Sequence, residues 1–304
     1  MGTPEFAVPT LLALHRSGYR IPVVVTQPDR PKGRGRKTHP PPVKTEAIAL
    51  GIEVEQPQAI RSGNIIAKLK ELEPDLFVVV ALGHILSREL LNIPKMGAIN
   101  VHASLLPKYR GAAPIQWAII NGDKQTGVTT IQMDTGMDTG DILLSSRAGI
   151  SDEDTSQSLH DRLSVMGADL LIKTIKGLIA GTITPMAQDH TIATRAPMLK
   201  KSDGRIDWNK PAAAIDAFIR GMSPWPGAFT FLGDKRIKIF SAKPAQLTSP
   251  SSPGTVIRGF SNELRVATGD QALTVLELQG ASGKRLPINS FLIGNPISKG
   301  AVFR

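Results

Sequence analysis

Ala98-Ile99-Asn100-Val101-His102-Ala103-Ser104-Leu105-Leu106-Pro107 reads as a short strand that runs into a turn. On a strand, residues two apart share a side, so Asn100 and His102 project together while Ile99 and Val101 face the other way. Upstream, Leu76 to Ala81 is a second apolar strand, halted by Gly83 and too short to span a bilayer. Working outward, helical spacing covers Pro4 to Gly18, Val43 to Leu50 and Asn64 to Leu72, with short strands at Ile21 to Val25 and Glu53 to Val54. Alternating strands and helices require crossover connections, which predicts a mostly parallel, Rossmann-like α/β sheet covered by helices on both faces.

Beyond the quoted strand, a helix is expected at Pro114 to Asn121, strands at Gly127 to Met133 and Ile142 to Ile150, and a long helix from Asp154. That helix carries Leu159, Leu163, Met166 and Leu170 on one stripe, with Asp154 or Thr155 as its cap. Pro185 to Lys201 has no period and suits a linker. After Gly204 comes a helix at Ala212 to Gly221, then short strands at Ala228 to Leu232, Ile237 to Ser241, Gly254 to Arg258, Glu263 to Ala267 and Ala272 to Gln279. Such spacing predicts a small barrel. The expected division is residues 1–184, a linker at 185–202, and a second domain at 203–304.

The chain has 304 residues, 41% of them hydrophobic, and no cysteine, which excludes disulfides and thiolate metal sites. Its start lacks the basic patch and apolar core of a secretory signal, so a cytoplasmic protein is expected. The formal net charge of +10 biases it toward polyanions, nucleic acid above all. Part of that charge sits between Gln27 and Pro42, where Arg30, Lys32, Arg34, Arg36 and Lys37 accompany Pro28, Pro31, Gly33, Gly35 and three further prolines. A loop without helix or strand is predicted there.

In an open α/β sheet, ligands bind beyond the carboxyl ends of the strands, which is where Asn100 and His102 lie. An amide and an imidazole placed there can hold one reacting carbonyl. Downstream, Met133 to Asp141 contains two glycines and the carboxylates Asp134, Asp138 and Asp141, a loop able to bring an acid back to orient His102. Taken singly, a strand-end histidine is commonly a hydrogen-bonded structural residue, and an asparagine near a turn commonly satisfies backbone groups. The three carboxylates lack calcium-loop spacing and have no second histidine nearby, so no metal is expected.

Together, Asn100-Val101-His102, the run Ser104-Leu105-Leu106-Pro107-Lys108-Tyr109-Arg110-Gly111-Ala112-Ala113-Pro114-Ile115 and Asp138-Thr139-Gly140-Asp141 resemble the methionyl-tRNA formyltransferases. Gly2-Thr3-Pro4-Glu5-Phe6, Gly204-Arg205-Ile206-Asp207-Trp208 and Pro224-Trp225-Pro226-Gly227-Ala228 extend the resemblance over nearly the whole chain. It implies a formyl-transfer domain followed by an OB-like β-barrel, with 10-formyltetrahydrofolate as donor and methionyl-initiator tRNA as acceptor. By the same matching Asn100, His102 and Asp138 are the catalytic set, and Ser104, Leu105, Leu106 and Pro107 border the folate. The basic loop corresponds to the element that approaches the tRNA acceptor arm, so Arg34, Arg36 and Lys37 are the expected phosphate contacts, on a protein expected to be a monomer. Trp208 and Trp225 are expected to pack in the core or a turn. The family's opening hydrophobic strand is not seen before Gly2, and a less stable sheet is expected. Leu82-Gly83-His84-Ile85-Leu86-Ser87 also departs from the family pattern near the expected folate pocket. Rival readings are a nucleotide-sugar amine formyltransferase, a formyltetrahydrofolate hydrolase, and a tRNA-binding protein without activity.

Overall fold

The computed structural model describes residues 1–32, 37–247, 249–260, 262–281 and 283–304; Arg34 and Arg36 lie outside these. In chain order its first elements are α1 (Val8–Arg16), β1 (Val23–Val25), β2 (Arg30–Lys32), β3 (Lys37–His39), α2 (Pro42–Ala49), β4 (Glu53–Glu55), α3 (Gly63–Glu71) and β5 (Phe77–Val79). They continue with α4 (Arg88–Leu91), β6 (Ala98–His102), α5 (Pro114–Ile120), β7 (Gln125–Gln132), β8 (Ile142–Gly149) and α6 (Ser156–Ile179). Then follow α7 (Ala212–Met222), β9 (Ala228–Leu232), β10 (Lys235–Ala245), β11 (Val256–Phe260), β12 (Glu263–Ala267), β13 (Ala272–Gln279), β14 (Arg285–Pro287) and α8 (Ile288–Gly294). The chain forms two compact units, residues 1–114, 126–149 and 160–196 in the first and residues 115–125, 150–159 and 197–304 in the second.

In the first unit β1 pairs in parallel with β4, and β5 in parallel with β6. The next strand, β7, runs antiparallel to β6 and is flanked by β8. Ile65, Ile66 and Leu69 on one face of α3 pack into a buried cluster with Val25, Phe77 and Val79, so removal of this apolar surface from water fastens helix to sheet.

The N-terminus sits between β1 and β5. Gly2 donates its N–H to Val25 O (3.0 Å), Val80 donates to Met1 O (2.9 Å), and the Met1 amine donates to Val78 O (2.7 Å). Met1 and Gly2 thus act as a strand end that joins two sheet fragments. Gly2 is suited to this close approach, because a Cβ there would lie 2.8 Å from Val80 O. Met1 and Gly2 border a cavity of about 370 Å³ with apolar walls that include Leu11, Leu14, Val24, Leu69 and Val78.

The basic segment differs from its expectation. Instead of a loop without strands, β2 and β3 pair as a two-stranded antiparallel sheet, with Arg30 opposite His39, Pro31 opposite Thr38 and Lys32 opposite Lys37. Proline is tolerated because each strand has a free edge, where a missing N–H breaks no ladder bond.

The second unit is an antiparallel sheet in the order β11-β12-β13-β10-β9, with β14 paired to β13. Its core includes Val256, Leu264, Val266, Leu273, Val275 and Leu278, all fully buried. Phe303 bridges Leu232 of β9 and donates its N–H to Gly254 O (2.8 Å), while Val302 bridges Thr255 just before β11. The chain end therefore ties together the two outer ends of the strand order, and the sheet curls on itself. Trp208 is buried at 4% exposure, stacks on Phe303 and donates to Thr230 Oγ1 (3.0 Å); Trp225 is instead 52% exposed, against the expectation of a packed side chain.

Candidate active site

Strand β6 places Asn100 and His102 on one side, and on the other Val101 meets α6 at Gly167, where a Cβ would come within 2.8 Å of Val101 Cγ1. This packing fixes the strand from behind. His102 is 5% exposed, and its Nε2 lies 2.9 Å from Tyr109 O. A carbonyl can only accept, so Nε2 carries the hydrogen and a neutral ring presents its lone pair at Nδ1. Nδ1 faces the Asp138 carboxylate, 3.6 Å from Oδ2. Asn100 Nδ2 donates to Asp138 Oδ1 (3.3 Å), and the Gly111 N–H donates to Asp138 Oδ2 (2.9 Å). One carboxylate, half-buried, therefore links Asn100, His102 and Gly111, which precede it by 27 to 38 residues.

Two of these positions have uncommon backbones. Tyr109 has φ +62° and Asp138 φ +55°, a left-handed conformation that side chains other than glycine adopt at a cost. The conformation turns the Tyr109 carbonyl onto His102 and the Asp138 carboxylate onto Asn100. Gly111, at φ +124°, is close to the backbone of Ala196, whose oxygen would lie 2.7 Å from a Cβ. Its N–H is thereby free of side-chain obstruction and meets Asp138.

The Ser104 to Pro107 loop begins where β6 ends. Ser104 is fully buried and donates to Lys108 O (2.6 Å), while Thr129 Oγ1 donates to Ser104 O (2.7 Å) and accepts from Leu106 N–H (3.2 Å). Ser104 and Leu106 are thus turned inward, and Leu105 and Pro107 are half-buried. Lys37, in β3, is exposed. The sequence reading missed three contributors: the Tyr109 carbonyl, the Gly111 amide and Gln188. Gly111 was signalled by its place in a motif; a backbone carbonyl carries no such signal.

The comparisons decide the family. Residues 1–175 match the formyl transferase family, and residues 198–296 match the formyl transferase C-terminal domain. The methionyl-tRNA formyltransferase of Citrifermentans bemidjiense is 50% identical over 302 residues, spanning 99% of this chain and 94% of that protein. That of Caldanaerobacter subterraneus subsp. tengcongensis is 47% identical, spanning 100% of this chain and 98% of that protein. The chain belongs to the methionyl-tRNA formyltransferase family. Two more distant formyltransferase structures share the fold. An N-formyltransferase from Helicobacter canadensis, solved with folinic acid and dTDP-3-aminofucose, gives a TM-score of 0.66 at 19% identity, covering 94% of this chain and 97% of that one. The sugar 3N-formyltransferase WlaRD gives 0.67 at 20% identity, covering 93% and 97%.

Proposed function

We propose that this chain transfers the formyl group of 10-formyltetrahydrofolate to the amino group of methionyl-initiator tRNA, giving N-formylmethionyl-tRNA for translation initiation. The observation that carries the reading is the convergence of Asn100, His102 and Asp138, linked at 3.3 Å and 3.6 Å through one carboxylate, in a chain of this family.

The methionyl amine attacks the formyl carbon, negative charge gathers on the formyl oxygen, and the bond from that carbon to the donor nitrogen breaks. One proton leaves the attacking nitrogen and one reaches the departing nitrogen, which gives tetrahydrofolate and the formamide. Asn100 holds one amide hydrogen on Asp138 and has a second to offer the oxygen. A donor aimed at developing charge contributes on the order of 3 to 4 kcal/mol. With Nε2 occupied by Tyr109 O, His102 works through Nδ1: it takes the amine's proton as a base, and once protonated it donates toward the oxyanion. Asp138 orients both groups, and no covalent enzyme intermediate is required.

Half-buried Leu105 and Pro107 supply an apolar wall suited to the flat ring of the folate, and inward-turned Ser104 and Leu106 support that wall. The basic segment that holds Arg34, Arg36 and Lys37 contacts tRNA phosphates. The second unit is an OB-like barrel whose positive surface, including Lys235, Arg236 and Lys238, tracks the tRNA backbone. A catalytic domain at 1–184, a linker at 185–202 and a tRNA-binding domain at 203–304 complete the reading, for a cytoplasmic monomer. Among the described residues no helix is long and apolar enough to cross a membrane.

The test is to incubate the protein with 10-formyltetrahydrofolate and charged initiator or elongator methionyl-tRNA and to measure formyl-methionine. Product is expected with the initiator. Donor consumption without formyl-methionine would favour a hydrolase, and tRNA binding without any turnover would favour an inactive binder.

A further inference from the structure

The stretch Met186 to Ala196 forms no long helix or strand, yet it is tied to both loops of the site. Ile142 and Met186 exchange backbone hydrogen bonds (2.8 and 2.9 Å). Arg110 donates its N–H to Thr194 O (2.9 Å), Ala196 to Arg110 O (2.7 Å), and Ala113 to Ala196 O (3.1 Å). Tyr109, whose carbonyl fixes the His102 ring, donates its N–H to Thr194 Oγ1 (2.8 Å). The strap therefore runs along the 107–113 loop and reaches the loop that carries Asp138.

Gln188 makes that second connection. It is 5% exposed, and its amide oxygen accepts from Arg110 Nε (3.1 Å) and Nη2 (2.7 Å). Its amide nitrogen donates to Asp138 O (2.9 Å) and Gly140 O (2.7 Å). Because a guanidinium only donates and a carbonyl only accepts, the amide can stand in just one orientation. All four of its hydrogen-bonding positions are used. The third guanidinium nitrogen, Nη1, lies 3.1 Å from His190 Nδ1, which holds Arg110 from the other side.

We propose that Gln188 is a positioning residue for the Asp138 carboxylate. This inference rests on the reading of Asp138 as a member of the catalytic set. Asp138 has an uncommon left-handed backbone, φ +55°, and such a conformation persists only where surrounding contacts over-determine it. Its own carbonyl is clamped by Gln188 while its carboxylate is placed against Asn100, His102 and Gly111. Gly140, the other carbonyl in the clamp, approaches the backbone so closely that a Cβ would meet Gln132 O. The loop is thereby pinned at two carbonyls, Asp138 O and Gly140 O, and releasing them lets the Asp138 carboxylate swing. Glutamine suits the position because it must accept from a cation and donate to two carbonyls at once. A glutamate keeps the first role and turns the second into repulsion between oxygens.

The experiment compares Gln188→Met and Gln188→Glu in the otherwise intact protein and in an Asp138→Asn background. With 10-formyltetrahydrofolate and methionyl-initiator tRNA, both single variants are expected to lower kcat by roughly 100-fold, the cost of misplacing a group by about 1 Å, while KM for either substrate moves less than about threefold. Added to Asp138→Asn, either change should cost less than about threefold more, because residues acting through one another are not additive. Exchange of the Gly111 amide hydrogen with solvent should also accelerate in both variants. Near-normal kcat in the Gln188 variants, or the same 100-fold loss in both backgrounds, overturns the proposal. Full activity of Asp138→Asn alone would instead overturn the catalytic reading beneath it. If Gln188→Met does not fold, Gln188→Glu, which preserves the bond to Arg110, decides with the same outcomes.

Discussion

The Gly111 N–H donates to the Asp138 carboxylate at 2.9 Å, and the backbone that aims it there suits glycine. At φ +124°, with Ala196 O placed 2.7 Å from any Cβ, an alanine must shift the loop. Gly111→Ala is therefore expected to reduce formyl transfer at least 10-fold, with loop strain costing about 1 to 3 kcal/mol of stability. Rate measurements together with thermal melting check this; unchanged values in both would mean that the Gly111 amide has no part in the site. The side chains of this centre could be nominated from sequence because Asn100 and His102 share a strand face, and because Asp138 sits in a glycine-bearing loop. The Tyr109 carbonyl could not, since every residue carries that group and nothing in residue identity reveals where it points, and the Gly111 amide was signalled only by its glycine's place in a motif. Gln188 stayed hidden for a different reason: it lies 50 residues from Asp138 in a stretch with no periodicity.

Among the elements, β6, β9, β12 and β13 have the bounds that alternation and turn residues predict. The pairing of β2 with β3 was not legible, because proline ordinarily punctuates a chain and Pro31 here sits in a strand that, among the described residues, has one neighbour only. The join at Gly2 has a measurable consequence, because a Cβ there would lie 2.8 Å from both Ala7 Cβ and Val80 O. Gly2→Ala is therefore expected to cost about 1 to 3 kcal/mol of stability, and an unchanged melting temperature would contradict that close packing.

The whole molecule carries a formal net charge of +10, and its proposed partner is a polyanion. Replacing Arg34, Arg36 and Lys37 together by alanine should weaken tRNA binding and flatten the dependence of log K on log salt by roughly 2 to 3. Identical slopes would remove this basic segment from the interface. The sequence pointed to two domains of different character, mixed α/β and then antiparallel β, because strand spacing changes near residue 204. How the antiparallel sheet curls was beyond it, since closure depends on Phe303 at the far end of the chain bridging Leu232. The most direct measurement of the account is the single-turnover rate of formyl transfer to methionyl-initiator tRNA for the unaltered protein, Asn100→Ala, His102→Ala and Asp138→Ala. Each substitution should slow the reaction about 100-fold or more, whereas a near-normal rate with Asn100→Ala or His102→Ala would contradict the claim that these groups hold the formyl oxygen.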